Sequence, residues 1–151
     1  MSRIRTTGWK VWLLRLAALH CLVWGVFIIA WPTRSALVYG FEEGITDEFL
    51  WRGTGLSIVL FGLGYGLGSI DPRRHVGPIL LGLIAKILGP LGIMMSVVNG
   101  QVSSKVLWLL PVNDVVWWIP LTIIVCDGFQ PPPERSGTQP PESAFNDRSG
   151  A

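Results

Sequence analysis

The stretch from residue 76 to residue 98, VGPILLGLIAKILGPLGIMMSVV, decides the fold class. Its only charged side chain is Lys86, and a helix needs about 20 mostly apolar residues to cross the hydrocarbon core of a bilayer. Stretches 11–31, 50–69 and 107–126 are similarly long and apolar. Because backbone amides in lipid need internal partners, these stretches must be helices. We therefore predict an all-α membrane protein with a four-transmembrane-helix bundle.

Composition favours the same class. Of the 151 residues, 50% are apolar and 15% are charged, whereas soluble domains carry about 25% charged residues. The net charge of +2 provides no basic field for nucleic acid, so we expect none as a partner. The two cysteines stand in unrelated surroundings, which predicts neither a disulfide framework nor a metal site. No cofactor is expected.

The distribution of basic residues predicts the topology, because cytoplasmic loops are enriched in Lys and Arg. With the N-terminus inside, seven basic residues are cytoplasmic and three are not. The cytoplasmic ones are Arg3, Arg5, Lys10, Arg73, Arg74, Arg135 and Arg148, and the others are Arg34, Arg52 and Lys105. We therefore expect a multi-pass protein of the inner (cytoplasmic) membrane with both termini cytoplasmic.

The chain divides into three parts. Residues 1–10 form a basic cytoplasmic segment, residues 11–127 the transmembrane domain, and residues 128–151 a tail rich in Pro, Ser, Gly and charge. Such a composition cannot bury a core, so we expect the tail to be disordered.

Small residues predict where the helices meet, because helices in lipid associate by close approach at Gly, Ala and Ser. In the second stretch, Gly62 and Gly66 form a small-xxx-small pair. In the third, Gly82 and Gly89 belong to a one-sided stripe that continues through Gly92 to Ser96. We expect these glycines to mediate helix packing, with the second and third helices in close contact.

Ionisable side chains at bilayer depth are costly and mark functional sites. Counted from the inner boundary at about 1.5 Å per residue, His20, Lys86 and Asp114 lie roughly 14, 15 and 18 Å deep. Three helices thus bring one titratable group each to the level of the midplane, and Asn113 adjoins Asp114. Pro90 has no N–H, so the carbonyl of Lys86 loses its usual amide donor.

Two interpretations of these residues stay open. In the first, Lys86 and Asp114 form a structural ion pair, with Asn113 and His20 as hydrogen-bond partners. In the second, the same residues form a midplane site for a ligand or a proton. Trp117 and Trp118 follow Asp114 by about one turn and could stack a flat ring such as a quinone, although ordinary packing is the simpler account.

The four-span layout over residues 11–126, with a basic N-terminal segment and both ends inside, resembles the DoxX-like group of small bacterial membrane proteins. Residues 82–90 (GLIAKILGP) and 113–120 (NDVVWWIP) look like signatures of that group. The group includes a subunit associated with quinol oxidation, and the resemblance assigns no catalytic residue.

Three functions are compatible with these features. The first is an accessory subunit or helix-bundle partner of a membrane complex, rather than a stand-alone enzyme. The second is a minimal proton- or ion-coupled transporter that uses His20, Lys86, Asn113 and Asp114, as a homo-oligomer. The third is a quinone-associated redox component. A cavity that reaches Lys86 would favour the transporter, a dry packed cluster the accessory subunit, and a lipid-open slot beside the two tryptophans the redox component.

Overall fold

The computed structural model describes residues 8–42 and 44–130. Within them the helices are α1 (Gly8–Ala30), α2 (Pro32–Val38), α3 (Glu48–Ile70), α4 (Val76–Val98) and α5 (Val116–Phe129). A 3-10 turn, Ser104–Trp108, and a π-helical turn, Pro111–Val115, lead into α5. Residues 1–7 and the predicted disordered tail beyond residue 130 lie outside the described part, and α5 itself continues to Phe129.

Within the described residues, four helical segments are long and apolar enough to cross a membrane: α1, α3, α4 and the continuous segment Ser104–Phe129. The bounds of the four predicted long apolar helices are therefore confirmed to within three residues at each end. The short helix α2 was not predicted. It begins with Pro32, which suits the first turn of a helix because its missing N–H has no partner there anyway. Trp51 of α3 holds α2 in place by donating its indole N–H to the hydroxyl of Ser35, at 2.8 Å.

The ends of the long helices are fixed by short polar contacts. The Asp47 side chain accepts a hydrogen bond from the amide of Leu50 and caps the start of α3. Asp71, before the connection to α4, accepts from the amide of Arg74 at 3.2 Å. Lys10 near the start of α1 forms an ion pair with Asp127 near the end of α5. These two helix ends therefore lie on the same side of the bundle.

The closest helix pairing is between α1 and α3. A Cβ at Gly25 would lie 2.7 Å from the carbonyl oxygen of Gly55, and a Cβ at Gly62 would lie 3.1 Å from that of Ala18. Backbones approach this closely only where side chains are absent, as in other membrane helix pairs. Gly62 thus packs against α1, not against α4.

Helices α3 and α4 meet near their connection and leave a space farther along. A Cβ at Gly64 would lie 3.2 Å from Pro78, and one at Gly68 would lie 2.7 Å from Ile79. Gly82 faces the ring of Tyr65 on α3. Gly66 and Gly89, for which packing contacts were also predicted, have no atom within 4 Å of such a Cβ. The expected close contact of α3 with α4 is therefore limited to one end.

In the part of the chain that the structure describes, buried apolar side chains form two clusters. The cluster near the α3–α4 connection joins α1, α3, α4 and α5 through Leu14, Tyr65, Ile79, Leu121 and Ile124. The second cluster lies at the opposite end and includes Ile28, Tyr39, Val102, Val106 and Leu109.

Candidate functional site

Lys86 and Asp114 form an ion pair between α4 and the segment that leads into α5. The Nζ atom of Lys86 lies 3.1 Å from Oδ1 of Asp114, and the two side chains are 11% and 9% exposed. Burying both charges is costly, and removing one partner alone leaves an uncompensated charge. We therefore expect additional hydrogen bonds around the ion pair, and the structure has them.

The π-helical turn places Asn113 and Asp114 toward Lys86. In addition to the ion pair, the ammonium group of Lys86 donates to the backbone carbonyl of Asn113 at 2.7 Å. The Asn113 amide donates to Oδ2 of Asp114 at 2.9 Å. Single π-helical turns are rare and occur often at functional sites.

His20 of α1 completes this polar network. Its Nε2 atom lies 2.9 Å from Oδ1 of Asn113. Because the Asn113 nitrogen already donates to Asp114, its oxygen is the acceptor, so His20 donates from Nε2–H. Together His20, Lys86, Asn113 and Asp114 form a chain of hydrogen bonds across three transmembrane segments, which we call the polar network.

The carbonyl that Pro90 leaves without a backbone donor has another partner. Trp118 on α5 donates its indole N–H to the carbonyl oxygen of Lys86 at 2.9 Å. Trp117 packs its ring against His20, with ring centroids 5.4 Å apart. Both tryptophans are half-buried, and each contacts a member of the polar network.

A cavity of about 370 Å³ borders the polar network. Lys86, Asn113 and Asp114 line its polar end, while neither Trp117 nor Trp118 is among its walls. Aromatic side chains form much of the remaining wall, namely Trp24, Tyr39, Phe41, Trp51, Phe61 and Tyr65. Its volume falls within the range of small-molecule sites, which are mostly apolar with a few polar groups.

The cavity occupies the space that α3 and α4 leave where they separate. Its α4 wall consists of the small-residue stripe, which includes Gly89 and Gly92. At the end away from the α3–α4 connection it adjoins a second, polar depression, and the two share Phe41, Ser96 and Val102 in their walls. Beyond the polar network, toward the connection, the first apolar cluster is closely packed.

Two polar groups in the cavity wall lack partners within the described part of the chain. They are the hydroxyl of Tyr65 and the indole N–H of Trp24. The side chain of Tyr65 is fully buried, and buried polar groups are nearly always hydrogen-bonded. Neither residue was predicted from the sequence to belong to a site. The only local signal is that Tyr65 stands between Gly64 and Gly66 in an apolar helix.

A charged contact also lies at the rim of the polar depression. Glu42, which lines it, is 3.3 Å from Nζ of Lys105, and both side chains are exposed. The hydroxyl of Ser103 and then the ammonium group of Lys105 hold the pKa of Glu42 below its ordinary value. Ser103 also donates its amide to the carbonyl of Gly40 at 3.0 Å, which joins the two loops beside the depression.

Comparisons with protein-family models, curated proteins and solved structures find no match for this chain.

Proposed function

We propose that this chain is a minimal carrier of the cytoplasmic membrane that takes a small molecule into its helix bundle. The polar network forms the polar end of the binding site, and both termini lie in the cytoplasm. The observation that carries this proposal is the cavity that reaches Lys86 and Asp114. A structural ion pair needs no such space, because protein interiors are normally close-packed.

The position of the cavity supports entry from one face of the membrane. With both termini cytoplasmic, the depression that adjoins the cavity at Ser96 belongs to the non-cytoplasmic face. The cluster around Leu14, Ile79 and Leu121 closes the bundle on the cytoplasmic side. A carrier exposes its site to one side at a time around a fixed midplane site, and this arrangement corresponds to the outward-facing state.

The other two candidate functions have less support. A dry, tightly packed polar network would favour an accessory subunit. The cavity that adjoins the network argues against such packing. A quinone beside Trp117 and Trp118 would need those rings to border a slot, but Trp118 is engaged by Lys86 and Trp117 by His20. We also propose that the chain has the four-span architecture of DoxX-like proteins.

Side-specific thiol labelling tests the proposed function. In a cysteine-free background (Cys21→Ala, Cys126→Ser), the Ser96→Cys variant is treated with a membrane-impermeant methanethiosulfonate reagent in intact cells and in inverted vesicles. We expect labelling in cells only, because Ser96 stands where the cavity and the polar depression meet.

Two matched variants serve as controls. Leu88→Cys lies on α4 at an exposed, apolar position, which lipid would cover. Ile79→Cys lies in the apolar cluster near the α3–α4 connection. Both should resist the reagent from either side. Labelling of Ser96→Cys from the cytoplasmic side, or from neither side, would contradict the proposal.

A further inference from the structure

Within the described residues, the cavity wall contains hydrogen-bond donors without partners, whereas the oxygens of the polar network are already engaged. Both carboxylate oxygens of Asp114 are engaged, one by Lys86 and one by Asn113. The side-chain oxygen of Asn113 is engaged by His20, and its backbone oxygen by Lys86. Each of these four oxygens therefore already accepts a hydrogen bond from the protein itself.

Three donors are left over in the same wall. Lys86 has three N–H groups, and within the described residues two acceptors engage its Nζ. The Tyr65 hydroxyl and the Trp24 indole N–H have no partner there. Tyr65 faces Gly82, which lies one helical turn before Lys86 on α4, and both Tyr65 and Lys86 line the same cavity. Unsatisfied buried donors call for a ligand that accepts hydrogen bonds.

Charge restricts the ligand further. The ammonium group of Lys86 and the carboxylate of Asp114 cancel, so a charged ligand would bring an uncompensated charge into a region of low dielectric. The remaining wall is largely aromatic and suits an apolar body. The favoured occupant is neutral.

On the basis of the proposed function, we infer that the cavity takes a neutral molecule with a compact apolar body and a carbonyl oxygen, of the ketone, ester or amide class. The Tyr65 hydroxyl donates to that oxygen, and Lys86 or Trp24 provides the second donor. The apolar body contacts the aromatic wall. Gly82 is required because a Cβ there would lie 2.5 Å from Cζ of the Tyr65 ring and would displace the hydroxyl.

Three ring compounds of the same body test this inference by calorimetry on the full, detergent-purified chain. They are 2-acetylnaphthalene, a neutral acceptor; 2-ethylnaphthalene, which has no acceptor; and 2-naphthoate, an anion. Heats of partition into empty micelles are subtracted. We expect the ketone to bind about tenfold more tightly than the ethyl compound, as one or two net hydrogen bonds would produce, and the anion to bind most weakly.

Variants then identify the donors. Tyr65→Phe should reduce the preference for the ketone to about twofold or less while leaving the ethyl compound unaffected. Trp24→Phe should reduce it in part, and it provides an independent test if Tyr65→Phe does not fold. Trp117→Phe is the control, since its indole N–H also lacks a partner within the described residues but lies outside the cavity wall. It should change none of the three affinities.

The outcomes separate the two proposals. Equal affinity for the ketone and the ethyl compound, or tightest binding of the anion, would overturn this inference and leave an intramembrane binding site in place. Saturable binding of none of the three would overturn both the inference and the proposed function.

Discussion

Removing the charge of Lys86 alone should destabilise the protein far more than removing both charges of the pair. In Lys86→Met the carboxylate of Asp114, only 9% exposed, loses the ammonium group 3.1 Å away. The carbonyl of Asn113 loses its hydrogen bond as well. Breaking a buried pair from one side costs about 3–5 kcal/mol, so we expect a loss of about that size in the free energy of unfolding.

The double variant Lys86→Met, Asp114→Leu leaves no uncompensated charge. Besides the ion pair it loses two hydrogen bonds, from Lys86 to the carbonyl of Asn113 and from Asn113 to Asp114, each worth about 1 kcal/mol. We therefore expect its stability to lie within about 2 kcal/mol of the original chain, since replacing a buried pair by apolar residues is often nearly neutral. The assay is reversible unfolding from mixed detergent micelles, with helix content followed by circular dichroism.

The pair between Lys105 and Glu42 provides a matched control. Its side chains are 83% and 64% exposed and 3.3 Å apart, and exposed pairs contribute at most about 1 kcal/mol. Lys105→Met should therefore have little effect on unfolding. Small and equal losses in Lys86→Met, the double variant and this control would refute the account of a buried, coupled pair.

Three further predictions follow from individual contacts. Trp118→Phe should lower the free energy of unfolding by about 1 kcal/mol, because the carbonyl of Lys86 loses its hydrogen-bond donor. A Pro90→Ala background restores an amide donor to that carbonyl and should reduce the loss. An unchanged loss in that background would refute the explanation. Gly55→Ala should lower the free energy of unfolding by about 1–3 kcal/mol, because the new Cβ would contact α1. Gly53→Ala has open space around it and should be neutral or slightly stabilising. Equal effects of the two substitutions would contradict this packing of α1 against α3. In a carboxyl NMR titration, Glu42 should have a midpoint below its ordinary pKa of 4.5. The stabilisation from its contacts with Ser103 and Lys105 is then fully present above pH 4.5 and is lost as the pH falls through the lowered pKa. A midpoint at or above 4.5 would contradict this prediction.

The transmembrane segments and the members of the polar network could be predicted because the bilayer imposes strict rules. Long apolar stretches must be helices in a bilayer. A buried Lys86 needs a counter-charge at its own depth, and Asp114 is the carboxylate that the sequence places there. The same reasoning identified the carbonyl that Pro90 leaves without a backbone donor. It could not identify Trp118 as the new donor, because that contact depends on how α4 and α5 are rotated.

The partners of the helices and the cavity could not be predicted. A small-xxx-small pair such as Gly62 with Gly66 shows that a helix has a close neighbour but not which neighbour, and Gly62 packs on α1. The stripe through Gly89 was expected to pack against a helix but lines a cavity instead. The cavity depends on the separation of α3 from α4, which is a property of the whole bundle. The role of Tyr65 follows from that separation alone.

The proposed carrier requires that the buried ion pair borders a cavity that opens to the non-cytoplasmic face. The most direct test replaces the pair by Lys86→Cys with Asp114→Leu in the background that lacks Cys21 and Cys126. A small membrane-impermeant thiol reagent is then added to either face of the membrane. We expect modification at position 86 from the non-cytoplasmic face and protection from the cytoplasmic one. Protection from both faces, in a variant that folds, would contradict it.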